Sequence, residues 1–132
     1  MVFQINQMYR ILQIEDLPSD AYLVSREVKK TLTPCEFIVV DDKDAFLDAL
    51  QSFKPHLIIS DYSLPGFSWY TAIVLAQQYS PGIPFIVVTG STTQELRNKC
   101  TQAGVSAFIN KNTICDLGPA LKQAIQKLTF SS

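Results

Sequence analysis

The 132-residue chain is short of several things, and each shortage removes a class of function. Cysteine is scarce: Cys35, Cys100 and Cys115 are odd in number and widely spaced. They match neither a zinc pattern nor a disulfide framework, so reduced thiols of a cytosolic protein are the simpler reading. Charge is modest at 17% of residues and nearly balanced at −1, which offers no electrostatic basis for binding nucleic acid or a membrane surface. No apolar run approaches the length of a membrane span. The opening Met1-Val2-Phe3-Gln4-Ile5-Asn6 lacks a basic n-region and an apolar h-region, so it does not read as a signal peptide. Low-complexity segments and internal repeats are also missing. What is present is core: 47% of residues are hydrophobic, enough for one domain to bury a core without disulfides or a structural metal.

Residues 1–8 read as a loose leader, with Phe3 and Ile5 on its surface. The first strand is expected over Arg10 to Ile14, followed by Glu15-Asp16 and by the helix-start pair Pro18-Ser19. A helix from about Ser19 to Thr31 carries Ala21, Val24, Val28 and Leu32 on one stripe, and Thr33-Pro34 ends it. Phe37 to Val40 is a second strand. Asp41-Asp42 then suits the N-cap of a helix striped by Phe46, Ala49, Leu50 and Phe53. Leu57-Ile58-Ile59 is an unbroken apolar run, the pattern of a strand buried on both faces, and it delivers Asp61 to the turn Leu64-Pro65-Gly66. A helix over Trp69 to Tyr79 is expected to turn Ala72, Leu75, Ala76 and Tyr79 inward. A strand over Phe85 to Val88 follows, closed by Thr89-Gly90. The next helix, Gln94 to Ala103, is the least apolar and ends at Gly104, a good left-handed terminator. Ala107 to Ile109 is the last strand, with Lys111 just past it. Asp116 is expected to cap a final helix striped by Leu117, Leu121, Ile125 and Leu128.

Five apolar strands alternating with five amphipathic helices argue for an α/β fold, a parallel sheet covered on both faces. Right-handed crossovers then put every strand's carboxyl end on one edge. That edge holds Glu15-Asp16, Asp41-Asp42, Asp61, Thr89 and Lys111. Carboxylates crowded at a crevice repel one another unless a cation sits among them, and hard oxygen ligands suit Mg²⁺. A lysine supplies a point charge for a phosphoryl oxygen and a threonine supplies a hydroxyl. These are the parts for phosphoryl transfer onto a carboxylate. Singly, each has a plainer reading. Glu15-Asp16 can serve a helix start, Thr89 can bond its own turn, and Lys111 can be solvated charge. Their coincidence at strand ends is what favours a site.

The sequence at these positions resembles the receiver domain of two-component response regulators, the chemotaxis-regulator-like family, over about residues 9–129, with a domain of 9–130. The resemblance is carried by Ile-Glu-Asp, by Ile-Ile-Ser-Asp-Tyr-Ser-Leu-Pro-Gly, by Val-Val-Thr-Gly and by Ala-Gly-Val-Ser-Ala-Phe-Ile-Asn-Lys, in the family's order. It implies a flavodoxin-like (βα)5 fold with strand order 2-1-3-4-5. It implies that Glu15, Asp16, Asp61 and the Ser63 backbone carbonyl hold Mg²⁺, that Asp61 accepts the phosphoryl group, that Lys111 binds it, and that Thr89 and Phe108 are the switch pair. It further implies a histidine kinase or histidine phosphotransfer protein as donor, and a cytoplasmic phosphoprotein rather than an enzyme, one that takes part in its own phosphorylation and dephosphorylation. Output would pass through the face of the fourth helix, fifth strand and fifth helix, to an output domain, a partner protein or a second copy, without direct contact with nucleic acid or membrane.

Two positions depart from the family pattern. Ser68-Trp69 stands where Asp-Gly is common, so the indole narrows access to Asp61, marks a partner contact, or simply packs on the neighbouring loop. Asn112 follows Lys111 where a cis proline is common. A non-proline cis bond costs roughly 2.5–4 kcal/mol, so a trans bond and a different path into the last helix are expected. Rival functions fare less well. A haloacid-dehalogenase-type phosphatase wants an acid at Ser63, and a flavodoxin-like cofactor site would be repelled by Glu15-Asp16. His56, at the head of a strand, suits a structural role better than a phosphorelay. The strongest rival is a degenerate receiver acting as a phosphorylation-independent scaffold.

Overall fold

The computed structural model describes residues 8–131. The expected leader thus lies outside the described residues except for Met8. The chain runs β1 (Tyr9–Ile14), α1 (Pro18–Thr31), β2 (Cys35–Val40), α2 (Lys43–Ser52), β3 (Leu57–Asp61), α3 (Trp69–Tyr79), β4 (Phe85–Thr89), α4 (Gln94–Ala103) and β5 (Ala107–Asn110). A 3-10 turn (Lys111–Asp116) then leads into α5 (Leu117–Ser131). The strands are all parallel and ordered β2-β1-β3-β4-β5, the flavodoxin-like order that the sequence resemblance implies.

This order makes the crevice between β1 and β3 the place where the winding reverses, the position at which open α/β sheets bind ligands. In the register of that pair, Ile14 lies opposite Ser60. The next residues, Glu15 and Asp61, therefore leave the sheet side by side. Burial holds the two strands there. Leu57, Ile58 and Ile59 have no exposed surface, and filling the core with each side chain contributes roughly 1.5–3 kcal/mol. Alternation along β3 sends Ile58 to a cluster with Phe46, Ala72 and Ile73. It sends Leu57 and Ile59 to a second cluster with Val24, Val28 and Leu121.

Several local expectations are met. Asp42 caps α2 by accepting from the Ala45 amide at 2.8 Å, and Gly104 ends α4 at φ 93°. Others are corrected. Tyr79 is not on the inner face of α3 but 50% exposed, while Trp69, Ala72, Ile73 and Ala76 are buried. As the last residue of the helix, Tyr79 stands where the stripe has run off the rim of the core. Asp116 does not cap α5. It closes the 3-10 turn, and the entering amide of Leu117 is satisfied by the Ile114 carbonyl instead. β2, expected from its apolar run, is an edge strand, and its Ile38 and Val39 are exposed. The side chain of Leu128, expected on the α5 stripe, lies outside the described residues, whereas Leu117, Leu121 and Ile125 are buried as expected.

Candidate functional site

At the β1–β3 crevice the Lys111 ammonium stands among carboxylates. Its Nζ lies 2.8 Å from Asp61 Oδ1, 2.6 Å from Asp20 Oδ2 and 3.5 Å from Glu15 Oε1. Asp61 ends β3 and Glu15 follows β1, while Lys111 opens the 3-10 turn after β5. Three separate strand ends thus deliver them to one point. Asp16 completes the group: one carboxylate oxygen from each of Glu15, Asp16 and Asp61 can be chosen so that all lie within 4.8 Å of one another. The second oxygen of Glu15 accepts from the Asp16 and Leu17 amides at 3.2 Å each, which fixes the carboxylate against the start of α1.

The cluster is electrostatically loaded. Burial pushes the Glu15 carboxyl up to about 7; the negative charge of Asp61 adds to this and Lys111 opposes it. Burial likewise raises Asp61, against the hydrogen bond and charge of Lys111. Burial works to discharge Lys111. Its hydrogen bonds to Asp20 and Asp61, with the charges of Asp61 and Glu15, outweigh that and hold the ammonium above the ordinary lysine range. Three carboxylates facing one ammonium, with Asp16 beside two of them, leave an excess of negative charge. All-oxygen donors of this kind fit a hard divalent cation with room for water. Beside Glu15 and Asp16 the site opens onto a groove of about 540 Å³ between α1 and β2, with Tyr22, Lys29 and Phe37 on its walls.

The other expected residues are placed less centrally. The Thr89 hydroxyl is engaged in its own turn, donating to the Ser91 carbonyl and accepting from the Ser91 amide, both at 3.2 Å. Phe108 is half-buried, with the Arg97 guanidinium from α4 over its ring at 5.2 Å. Ser63 is exposed two residues past Asp61. Trp69 is only 7% exposed and packs between Tyr62 and Tyr70, with ring centroids 6.0 and 5.8 Å away. This meets the expectation that the indole packs on the neighbouring loop, and Ser68 caps α3 by accepting from the Thr71 amide. The Lys111–Asn112 bond is trans, as expected, and the Asn110 side chain accepts from the Asn112 amide to start the 3-10 turn. His56 is structural: its Nδ1 accepts from the Arg10 amide at 2.9 Å, and burial lowers its pKa, with Arg10 adding to the shift. The three cysteines are free thiols. Asp20 is the one cluster member that the sequence pattern did not single out, because an acid in the first turn of a helix already has an ordinary dipole role.

A doubly wound parallel sheet with an acid cluster and a lysine at its switch point defines a flavodoxin-like domain with a cation-ready pocket. The family model of the response regulator receiver domain matches residues 11–124, and the chain belongs to that family, the receiver domains of two-component systems. A curated relative from Thiocystis violacea, the uncharacterized 76.5 kDa protein in phbC 3'region, is 30% identical over 105 residues. That match takes in 78% of this chain but 15% of the relative's length. Among solved structures, the receiver domain of the sensor histidine kinase PA1611 from Pseudomonas aeruginosa PAO1, with a magnesium ion coordinated in its active site cleft, is similar. It is 21% identical at a TM-score of 0.76, over 91% of this chain and 99% of that one. The signal receiver domain of the DNA binding response regulator merR from Colwellia psychrerythraea 34H shares 18% identity at a TM-score of 0.80, over 89% and 98% of the two chains. At these identities the likeness speaks to the fold.

Proposed function

We propose that this receiver domain accepts a phosphoryl group on Asp61 from a phosphohistidine in a phosphorelay, with Mg²⁺ in its pocket. The observation that supports this most is the contact of Lys111 Nζ with Asp61 Oδ1 at 2.8 Å beside Glu15 and Asp16. Glu15, Asp16, Asp61 and the Ser63 backbone carbonyl would hold the cation, which when bound supplies charge neutralisation for the carboxylates and the incoming phosphoryl oxygens. An Asp61 oxygen attacks phosphorus, the P–N bond to the donor imidazole breaks, and its electron pair stays with the imidazole. Lys111 exchanges its Asp61 oxygen for a phosphoryl oxygen and so remains paired throughout. Thr89 leaves its Ser91 turn for the phosphoryl group, and Phe108 leaves Arg97 to turn inward. This carries the change to the face of α4, β5 and α5, where an output domain, a partner protein or a second copy would bind. The chain acts as a phosphoacceptor that takes part in its own phosphorylation and dephosphorylation, not as an enzyme with an external product. Among the described residues no helix is long and apolar enough to cross a membrane, and we place the domain in the cytoplasm with its histidine kinase or phosphotransfer partner. The test is to treat the chain with Mg²⁺ and a small acyl phosphate, reduce with borohydride and map the peptides. Homoserine at position 61 supports the reading, whereas modification at another carboxylate sinks it.

A further inference from the structure

We infer that Asp20 is a positioning residue for Lys111, holding its ammonium at the α1 wall of the pocket so that it stays in place when the phosphoryl group takes over Asp61. This rests on the phosphoacceptor reading above. An acid in the first turn of α1 would ordinarily do no more than face the helix dipole. Here its carboxylate reaches the end of β5, 91 residues on in sequence, and meets Lys111 at 2.6 Å, closer than Asp61 does. Lys111 is followed by the Asn112 turn, and an ammonium on a four-carbon stem needs an outside partner to fix it. It has three N–H donors: Asp20 and Asp61 take two at hydrogen-bond distance, and the third faces Glu15 at 3.5 Å. When phosphorylation removes the Asp61 oxygen from this set, the bond to Asp20 is the close one that persists. Asp20 has a second consequence. Without it, the ammonium's close partner would be Asp61 and its nearest other acid Glu15, two carboxylates of the cation-ready group.

A double-mutant cycle on Mg²⁺ affinity, read by titration calorimetry of the full chain, tests this. Asp20→Ala should weaken Mg²⁺ binding about tenfold, the scale of a lost charge-assisted hydrogen bond. Asp20→Asn, which keeps an acceptor oxygen, should recover most of it. In a Lys111→Ala background, Asp20→Ala should change Mg²⁺ affinity by less than about twofold, since the partner through which it acts is gone. An equal loss in both backgrounds would overturn the inference, because Asp20 would then act on the cation by itself; an unchanged affinity in Asp20→Ala would overturn it too. Phosphate-adduct kinetics add a second readout: Asp20→Ala should lower the maximal rate and leave the KM for a small acyl phosphate unaltered. A wild-type chain that binds Mg²⁺ but takes no phosphate would defeat the phosphoacceptor reading alone, with the calorimetric cycle still deciding the role of Asp20.

Discussion

Glu15 is buried with its carboxyl raised to about 7, and that places a pH dependence on the metal-free fold. The unfolded chain releases this proton near the ordinary value of 4.5, whereas the folded chain keeps it until about pH 7. Between those values the folded state binds more protons, so stability falls as pH rises. The raised Asp61 acts in the same direction, while His56, lowered by burial, works against both and is outweighed by the large shift of Glu15. The melting temperature in chelator is expected to be higher near pH 5.5 than near pH 7.5, and Glu15→Gln should remove much of that difference. A melting temperature that climbs over the same interval would contradict the account. Glu15, Asp61 and Lys111 were legible in the sequence because each follows a recognisable strand, and parallel winding brings all strand ends to one edge. Asp20 was not, because its contact with Lys111 depends on how α1 lies over the sheet and no periodicity encodes that. For Thr89 the sequence left two readings open, and its hydroxyl is found bonding its own turn.

Elements were legible in proportion to how strongly they are buried. β3, with its unbroken apolar run Leu57-Ile58-Ile59, is buried throughout. β2 also carries an apolar run, Phe37 to Val40, but lies at the sheet edge, and alternation alone gives no strand order; the order came from the family resemblance. Caps can be read from sequence when the polar residue directly precedes the helix, as Asp42 does, and misread when a 3-10 turn intervenes, as at Asp116. Asp42→Ala is expected to cost about 1 kcal/mol in urea denaturation, with Mg²⁺ affinity unchanged since Asp42 is outside the Lys111 cluster. Trp69 is buried in the core with Phe46, Ala72 and Ile73. Trp69→Ala should therefore lower stability by about 3–5 kcal/mol, and a loss under 1 kcal/mol would show the indole to be a surface feature.

At the scale of the whole molecule, the acidic pocket trades stability for readiness to bind a cation. Carboxylates crowded at the switch point repel one another in the metal-free chain, and a ligand held only by the folded state recovers that loss. Mg²⁺ at a hundredfold excess over its Kd should add about 2.7 kcal/mol of stability, reversed by a chelator and strongly reduced in Asp61→Asn. An identical melting temperature with and without Mg²⁺ would argue against a cation site. The fold and its pocket were legible together because the acid-bearing strand ends are also the sheet's carboxyl edge. The switch to the α4–β5–α5 face was legible only through the family resemblance, since half-buried Phe108 looks like any strand aromatic. The claim on which the rest depends is that Asp61 takes phosphate. Intact mass after incubation with Mg²⁺ and a small acyl phosphate measures it directly. The account predicts one added phosphate on the wild-type chain and none on Asp61→Asn. An adduct of equal yield on Asp61→Asn, or none on a wild-type chain that binds Mg²⁺, would contradict it.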